Sequence, residues 1–97
     1  MPEKDAEKLR RAVGDAGGGQ IGNYSHTSFS VKGIGRFLPR EGASQAIGQV
    51  GKLEEVAEER IEITCEREQL NEIVKATRAN HPYEEPVIDI YPMLLEG

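Results

Sequence analysis

Tryptophan is absent, cysteine occurs once, and three tyrosines and two phenylalanines are the only benzenoid rings in the 97 residues. A chain this short buries about 60–65% of the surface its unfolded form exposes. With 37% hydrophobic residues and eleven glycines, its core must be thin. The lone Cys65 excludes an internal disulfide. No apolar run approaches the roughly 18 residues of a membrane-spanning helix. Met1-Pro2-Glu3-Lys4-Asp5 carries no apolar stretch of the kind a secretion signal needs, so the cytoplasm is the expected compartment. An excess of positive charge is also missing. Twelve basic residues stand against seventeen acidic ones, a net charge of −5, and the basic ones are scattered. Phosphate backbones require clustered Lys and Arg, so a general nucleic-acid binder is excluded. What remains is a single domain spanning 1–97, for which self-association is a ready way to bury more apolar surface.

The pattern of apolar residues predicts two helices. Ala6, Leu9, Val13 and Ala16 recur at spacings of three and four over 3–16, and Gly17-Gly18-Gly19 ends that stripe. Leu70, Ile73, Val74 and Thr77 do the same over 66–80, with Asn80 as the stop and Pro82 forbidding continuation. Between them, Asn23 to Val31 is rich in β-formers and alternates, so a strand is expected there, with Tyr24, His26, Ser28 and Ser30 on one face. Lys32-Gly33-Ile34-Gly35 reads as a turn, Arg36-Phe37-Leu38 as a short return, and 39–51 as loop. Residues 53–65 form the longest strand candidate. Val56 falls out of phase with Ile61 there, which predicts a bulge near Ala57. Val87 to Tyr91 reads as a final strand.

A weak internal repeat links Pro2-Glu3-Lys4, Leu9 and Ala12-Val13 with Cys65-Glu66-Arg67, Leu70 and Ile73-Val74. A doubled strand–helix–strand unit is the plan of the ferredoxin-like α+β sandwich. The second copy has its leading strand, whereas in the first only Met1 precedes Pro2. The expectation is a ferredoxin-like fold whose first strand is missing. Its exposed edges would be covered by a partner subunit or by Met93-Leu94-Leu95.

The densest chemistry lies in His81-Pro82-Tyr83-Glu84-Glu85-Pro86. In a strand, Glu84 and Glu85 would point to opposite faces, which argues against a paired-carboxylate acid/base site. His26 and His81 with Glu84 or Glu85 could hold a divalent metal such as zinc with one position open, though the spacing is no zinc signature. Gly17-x-Gly19-x-x-Gly22 matches the dinucleotide fingerprint by letter. It follows a helix and opens a strand, the reverse of the order that motif needs. Cys65 reads as a small packing residue, and Glu54, Glu55, Glu58 and Glu59 read as a solvated face.

Three phrases taken together carry a resemblance: Gly19-Gln20-Ile21-Gly22-Asn23-Tyr24-Ser25-His26-Thr27-Ser28-Phe29, then Gly33-x-Gly35-x-Phe37-x-Pro39 with Glu41-Gly42-Ala43, then His81-Pro82-Tyr83-Glu84-Glu85-Pro86. With Ile47-Gly48 and Gly51-Lys52 between them, they resemble the YqfO-type, CutA- and PII-like domain. That domain is found in the Nif-three-like dinuclear-metal family, whose members are often called GTP cyclohydrolase 1 type 2 homologues, and it also occurs alone. The resemblance covers nearly the whole chain. It implies a ferredoxin-like sandwich that tends to form trimers. It implies no catalysis, because the family's dinuclear site lies in a flanking domain. Departures from the pattern are Thr27 where cysteine is common, Gln45-Ala46 before Ile47-Gly48, and a start at the proline that ordinarily follows an apolar strand.

The functional expectation is a non-catalytic module for small-ligand binding, oligomerisation or regulation. Asn23, Tyr24, His26, His81, Tyr83 and Glu84 are its candidate ligand contacts. The alternatives are a metal-binding protein built on His26, His81 and Glu84 or Glu85, and a small hydrolase, for which the sequence offers no nucleophile–base pair.

Overall fold

A computed structural model describes residues 1–43 and 47–94, so Gln45, Ala46 and Leu95 lie outside the described residues. After a single 3-10 turn over Glu3–Asp5 comes helix α1, Ala6–Asp15. Strands β1, Phe29–Phe37, and β2, Glu54–Glu62, follow. A second 3-10 turn, Arg67–Gln69, leads into helix α2, Leu70–Ala79. The two strands form an antiparallel ladder that runs without interruption from Phe29↔Glu62 to Phe37↔Glu54. The result is an α+β fold with two helices on a small two-stranded sheet, a reduced ferredoxin-like sandwich. None of the helices is long and apolar enough to cross a membrane, over the described residues.

The helical spacings give most of the core they predict; Ala16 is the exception, lying past the end of α1 and exposed. Leu9 and Val13 of α1 and Ile73 of α2 are buried together. Met1, Ile61, Ile63 and Cys65 pack against them, with Cys65 a free thiol in a packing role. Each fully buried aliphatic side chain contributes about 1.5–3 kcal/mol. Arg10 reaches from α1 to the sheet, donating to Glu59 Oε1 at 2.7 Å and to Ser30 Oγ at 3.3 Å. Glu59 is only 9% exposed, so it is not part of a solvated face; its desolvation is offset by this pair.

The strand expectations need four corrections. Residues 23–27 are not a strand. Reciprocal 2.9 Å bonds between Ile21 and Tyr24 close a turn there, with Gly22 and His26 both in the left-handed region. Second, residues 32–35 are not a turn but the middle of β1, because the ladder carries Gly33 and Gly35 straight through, opposite Glu58 and Val56. Third, β2 has no bulge. Its burial changes phase because two different layers cover it. Val56 and Glu58 are partly buried on one face, and Glu59 and Ile61 are covered on the face toward the helices. Finally, Val87 to Tyr91 forms no strand, and Val87, Ile90 and Tyr91 are exposed. The neighbour that position would pair with in the ferredoxin plan is represented by two residues. Pro2 makes an isolated antiparallel bridge to Glu58, and the Glu59 amide donates to the Met1 carbonyl at 2.8 Å.

Candidate functional site

The second helix delivers His81 to the sheet. Asn80 closes α2 by donating from its side chain to the Ala76 carbonyl at 2.8 Å. Pro82 then turns the chain away from helix. The Tyr83 amide donates back to His81 Nδ1 at 3.1 Å, which fixes the imidazole beside the phenol at a ring separation of 5.0 Å. Tyr83 packs edge-on against Phe37 at the end of β1, with ring centroids 5.7 Å apart. Its hydroxyl donates to Glu58 Oε2 at 2.7 Å. The Met1 ammonium lies 3.8 Å from the same oxygen. Glu58 can lie flat on the strand because Gly35 has no side chain: a Cβ there would collide with its carboxylate.

The electrostatics of this cluster are coupled. Burial holds the His81 imidazole below its ordinary value near 6.5, helped by the N-terminal ammonium and opposed by Glu58 and Asp5. The bond from Tyr83 agrees with that direction, since an Nδ1 that accepts must be unprotonated. The neutral ring therefore carries its proton on Nε2. Burial also raises the Tyr83 phenol well above the usual range, with the bond to Glu58 next in weight. Asp5 adds an orphan to the cluster: its buried Oδ2 has no hydrogen-bond partner among the described residues. The Glu58 carboxylate, a phenol and an imidazole thus meet beside the ring of Phe37, and the charge of Asp5 acts on both titrating rings. The arrangement suits recognition of a polar molecule. It offers no aligned nucleophile and base.

His26 belongs elsewhere. Its φ of 59° turns the chain so that the ring lies against α1 at Gly14, where a Cβ would collide with it. This accounts for a glycine inside a helix. Asp15 Oδ1 at 2.9 Å and Ser25 Oγ at 2.9 Å hold the two ring nitrogens. Gly19 locks the same segment, accepting from the Thr27 amide at 3.0 Å and the Thr27 hydroxyl at 2.7 Å while donating to the Thr64 carbonyl at 2.7 Å. Of the glycines that spell a nucleotide motif, Gly19 serves close backbone approach to Thr27, while Gly22 supplies a left-handed turn. A shallow cleft of about 330 Å³ beside this strap is lined by Glu7, Arg10, Arg11, His26 and Ser28.

The structure joins His81 with Tyr83 and places His26, Asn23 and Tyr24 elsewhere. His26 is anchored at the C-terminal end of α1, while His81 senses Asp5 just before its N-terminal end. Ten residues of α-helix, about 15 Å, separate those anchors. Tyr24 is 74% exposed, and Asn23 is exposed in the same turn. Glu84 and Glu85 are both exposed in a bend, so the alternation argument made for a strand does not apply to them. Among the described residues no group of three or more His, Cys, Asp or Glu is placed to hold a metal ion. The sequence reading missed Glu58, Asp5 and Phe37. The one signal for Glu58 was the phase of Val56, which puts positions 56 and 58 on a covered face.

Comparison with known proteins gives a consistent answer. No family model matches the chain. A "GTP cyclohydrolase 1 type 2 homolog" of Mycobacterium tuberculosis is 49% identical over 94 residues, 97% of this chain and 25% of that protein. Proteins of the same name from Halalkalibacterium halodurans and Bacillus subtilis are each 45% identical, over 97 and 93 residues. They are matched over 100% and 96% of this chain, and over 26% and 25% of their own lengths. A crystal structure of a Bacillus cereus protein related to NIF3 superposes with a TM-score of 0.80 at 45% identity, covering 96% of this chain and 23% of that one. The chain spans about a quarter of the length of these curated relatives. Across nearly its whole length, in sequence and in fold, this chain belongs to the Nif-three-like family of GTP cyclohydrolase 1 type 2 homologues.

Proposed function

We propose that this chain is a non-catalytic, CutA/PII-like module that binds a small ligand at the His81–Tyr83–Glu58 cluster and works as a trimeric regulatory or assembly unit in the cytoplasm. The observation that carries the reading is the relay from His81 Nδ1 through the Tyr83 amide and hydroxyl to Glu58, beside the unpartnered buried oxygen of Asp5. Glu58 and Asp5 accept hydrogen bonds, His81 Nε2–H donates one, and Tyr83 and Phe37 offer ring surface. The ligand chemistry this suits is a small, uncharged or cationic molecule with a flat ring and hydrogen-bond donors. The activity named for the relatives is theirs; they are far longer proteins, and nothing in the cluster resembles a hydrolytic dyad.

The test is a set of nucleosides and aromatic amines titrated into isotope-labelled protein and followed by NMR. Saturable shifts at His81, Tyr83 and Glu58, lost in His81→Ala with the fold retained, are the expected result. Shifts confined to other residues, or none, would refute the assignment of the site. Turnover of any of these compounds that depends on His81 would refute the non-catalytic reading.

A further inference from the structure

The cleft beside α1 lies away from the His81 cluster. At about 330 Å³ it falls at the lower end of the roughly 300–1,000 Å³ usual for small-molecule sites. Glu7, Arg10 and Arg11 of α1 line it, with His26 and Ser28 from the strap before β1. Two unfavourable backbone features meet there. His26 holds a left-handed φ of 59°, uncommon for a residue with a side chain, and Gly14 weakens the helix that contains it. Both lay one imidazole against α1, since a Cβ on Gly14 would collide with the ring. Asp15 and Ser25 occupy the two ring nitrogens, so the ring is a fixed wall of the cleft and not a donor into it.

The donors are the two arginines. Arg10 is held from beneath, its Nη1 alone bonding Glu59 and Ser30. Glu59 is 9% exposed and the Arg10 side chain 30%, so the pair turns its positive end outward. Among the described residues, Nε and Nη2 of Arg10 have no hydrogen-bond partner. Arg11 pairs with Glu7 at 3.5 Å, and both side chains are largely exposed. Exposed pairs contribute little, so an incoming anion displaces Glu7 at small cost. Ser28 is exposed and adds a hydroxyl.

We infer that this cleft binds the phosphate group of a small phosphate monoester. The planar forks of Arg10 and Arg11 match phosphate oxygens, the Ser28 hydroxyl donates to another, and the organic part of the ester rests on the His26 ring. A net charge of −5 repels a polyanion, so the fit is to a small ester and not to nucleic acid. This site is separate from the His81 cluster and stands whether or not that cluster binds a ligand.

The probe is ribose 5-phosphate, titrated at constant ionic strength into isotope-labelled protein and followed by NMR, with ribose and inorganic phosphate as separate arms. Saturable shifts are expected at Arg11, His26 and Ser28 and not at His81 or Tyr83. Ribose should be silent, and inorganic phosphate should bind more weakly than the ester. Arg11→Gln, at an exposed position outside the core, is expected to weaken binding about tenfold. Glu7→Gln, which releases Arg11, is expected to tighten it about threefold. No saturation at millimolar ester, equal shifts with ribose, an affinity unchanged in Arg11→Gln, or one not raised in Glu7→Gln overturns the proposal. So does inorganic phosphate that binds as tightly as the ester, which means an adventitious ion only.

Discussion

At the scale of single residues, Tyr83 is the joint of the molecule. Its backbone amide orients His81 and its hydroxyl reaches Glu58, so two elements distant in sequence meet at one residue. Tyr83→Phe keeps the ring contact with Phe37 and removes only the hydroxyl. A net cost of about 1 kcal/mol is expected, because Glu58 loses a donor but keeps the nearby ammonium. Equilibrium urea denaturation measures it. The same substitution keeps the amide bond to His81, so the imidazole should stay neutral near pH 7. Glu58 and Asp5 were not legible in the sequence as site residues. Each looks like one more acid in an acidic chain, and only the ladder and the turn before α1 bring them to Tyr83 and His81.

At the scale of elements, the helices were legible and the strands only in part. Spacings of three and four mark buried faces whatever the helix packs against, so Leu9, Val13 and Ile73 could be found from the sequence. Strand β1 was hidden by Gly33 and Gly35, which resemble turn residues until a partner strand is known. Asn23 to Thr27 failed in the opposite sense. Its β-prone residues are overruled by left-handed Gly22 and His26 and by the clamp at Gly19. The two strand glycines are not equivalent. A Cβ on Gly33 meets open space, while one on Gly35 meets Glu58. Gly33→Thr is therefore expected to stabilise the protein by about 0.5–1 kcal/mol through lower unfolded-state entropy and better strand propensity. Gly35→Thr gains the same propensity but must displace the Glu58 carboxylate from Tyr83 at a cost of about 1 kcal/mol, so it should stabilise less or not at all. Thermal unfolding of the two variants side by side checks the contrast. Equal effects would mean that Glu58 does not lie over Gly35.

At the scale of the whole molecule, the thin core expected from composition is what folds. The buried hydrophobic side chains among the described residues are Ala6, Leu9, Val13 and Ile73. The radius of gyration, 14.8 Å, exceeds the roughly 13 Å usual for a compact chain of about 100 residues, and the longest extent is 48 Å. Polar links, Arg10 to Glu59 and Tyr83 to Glu58, tie the layers where apolar contact is sparse. The cluster at His81 therefore bears on stability as well as on recognition. A histidine whose folded value lies below 6.5 binds protons more readily in the unfolded chain. Its share of the stability is complete above about pH 6.5 and is lost as the pH falls through the folded value.

The most direct measurement of the central claim is an NMR titration of the His81 ring nitrogens. The ring is expected to be neutral at pH 7 with its proton on Nε2, and its midpoint to lie below 6.5. A midpoint above 6.5, or a proton on Nδ1, would contradict that claim, because His81 could then neither be desolvated beside Tyr83 nor accept its amide.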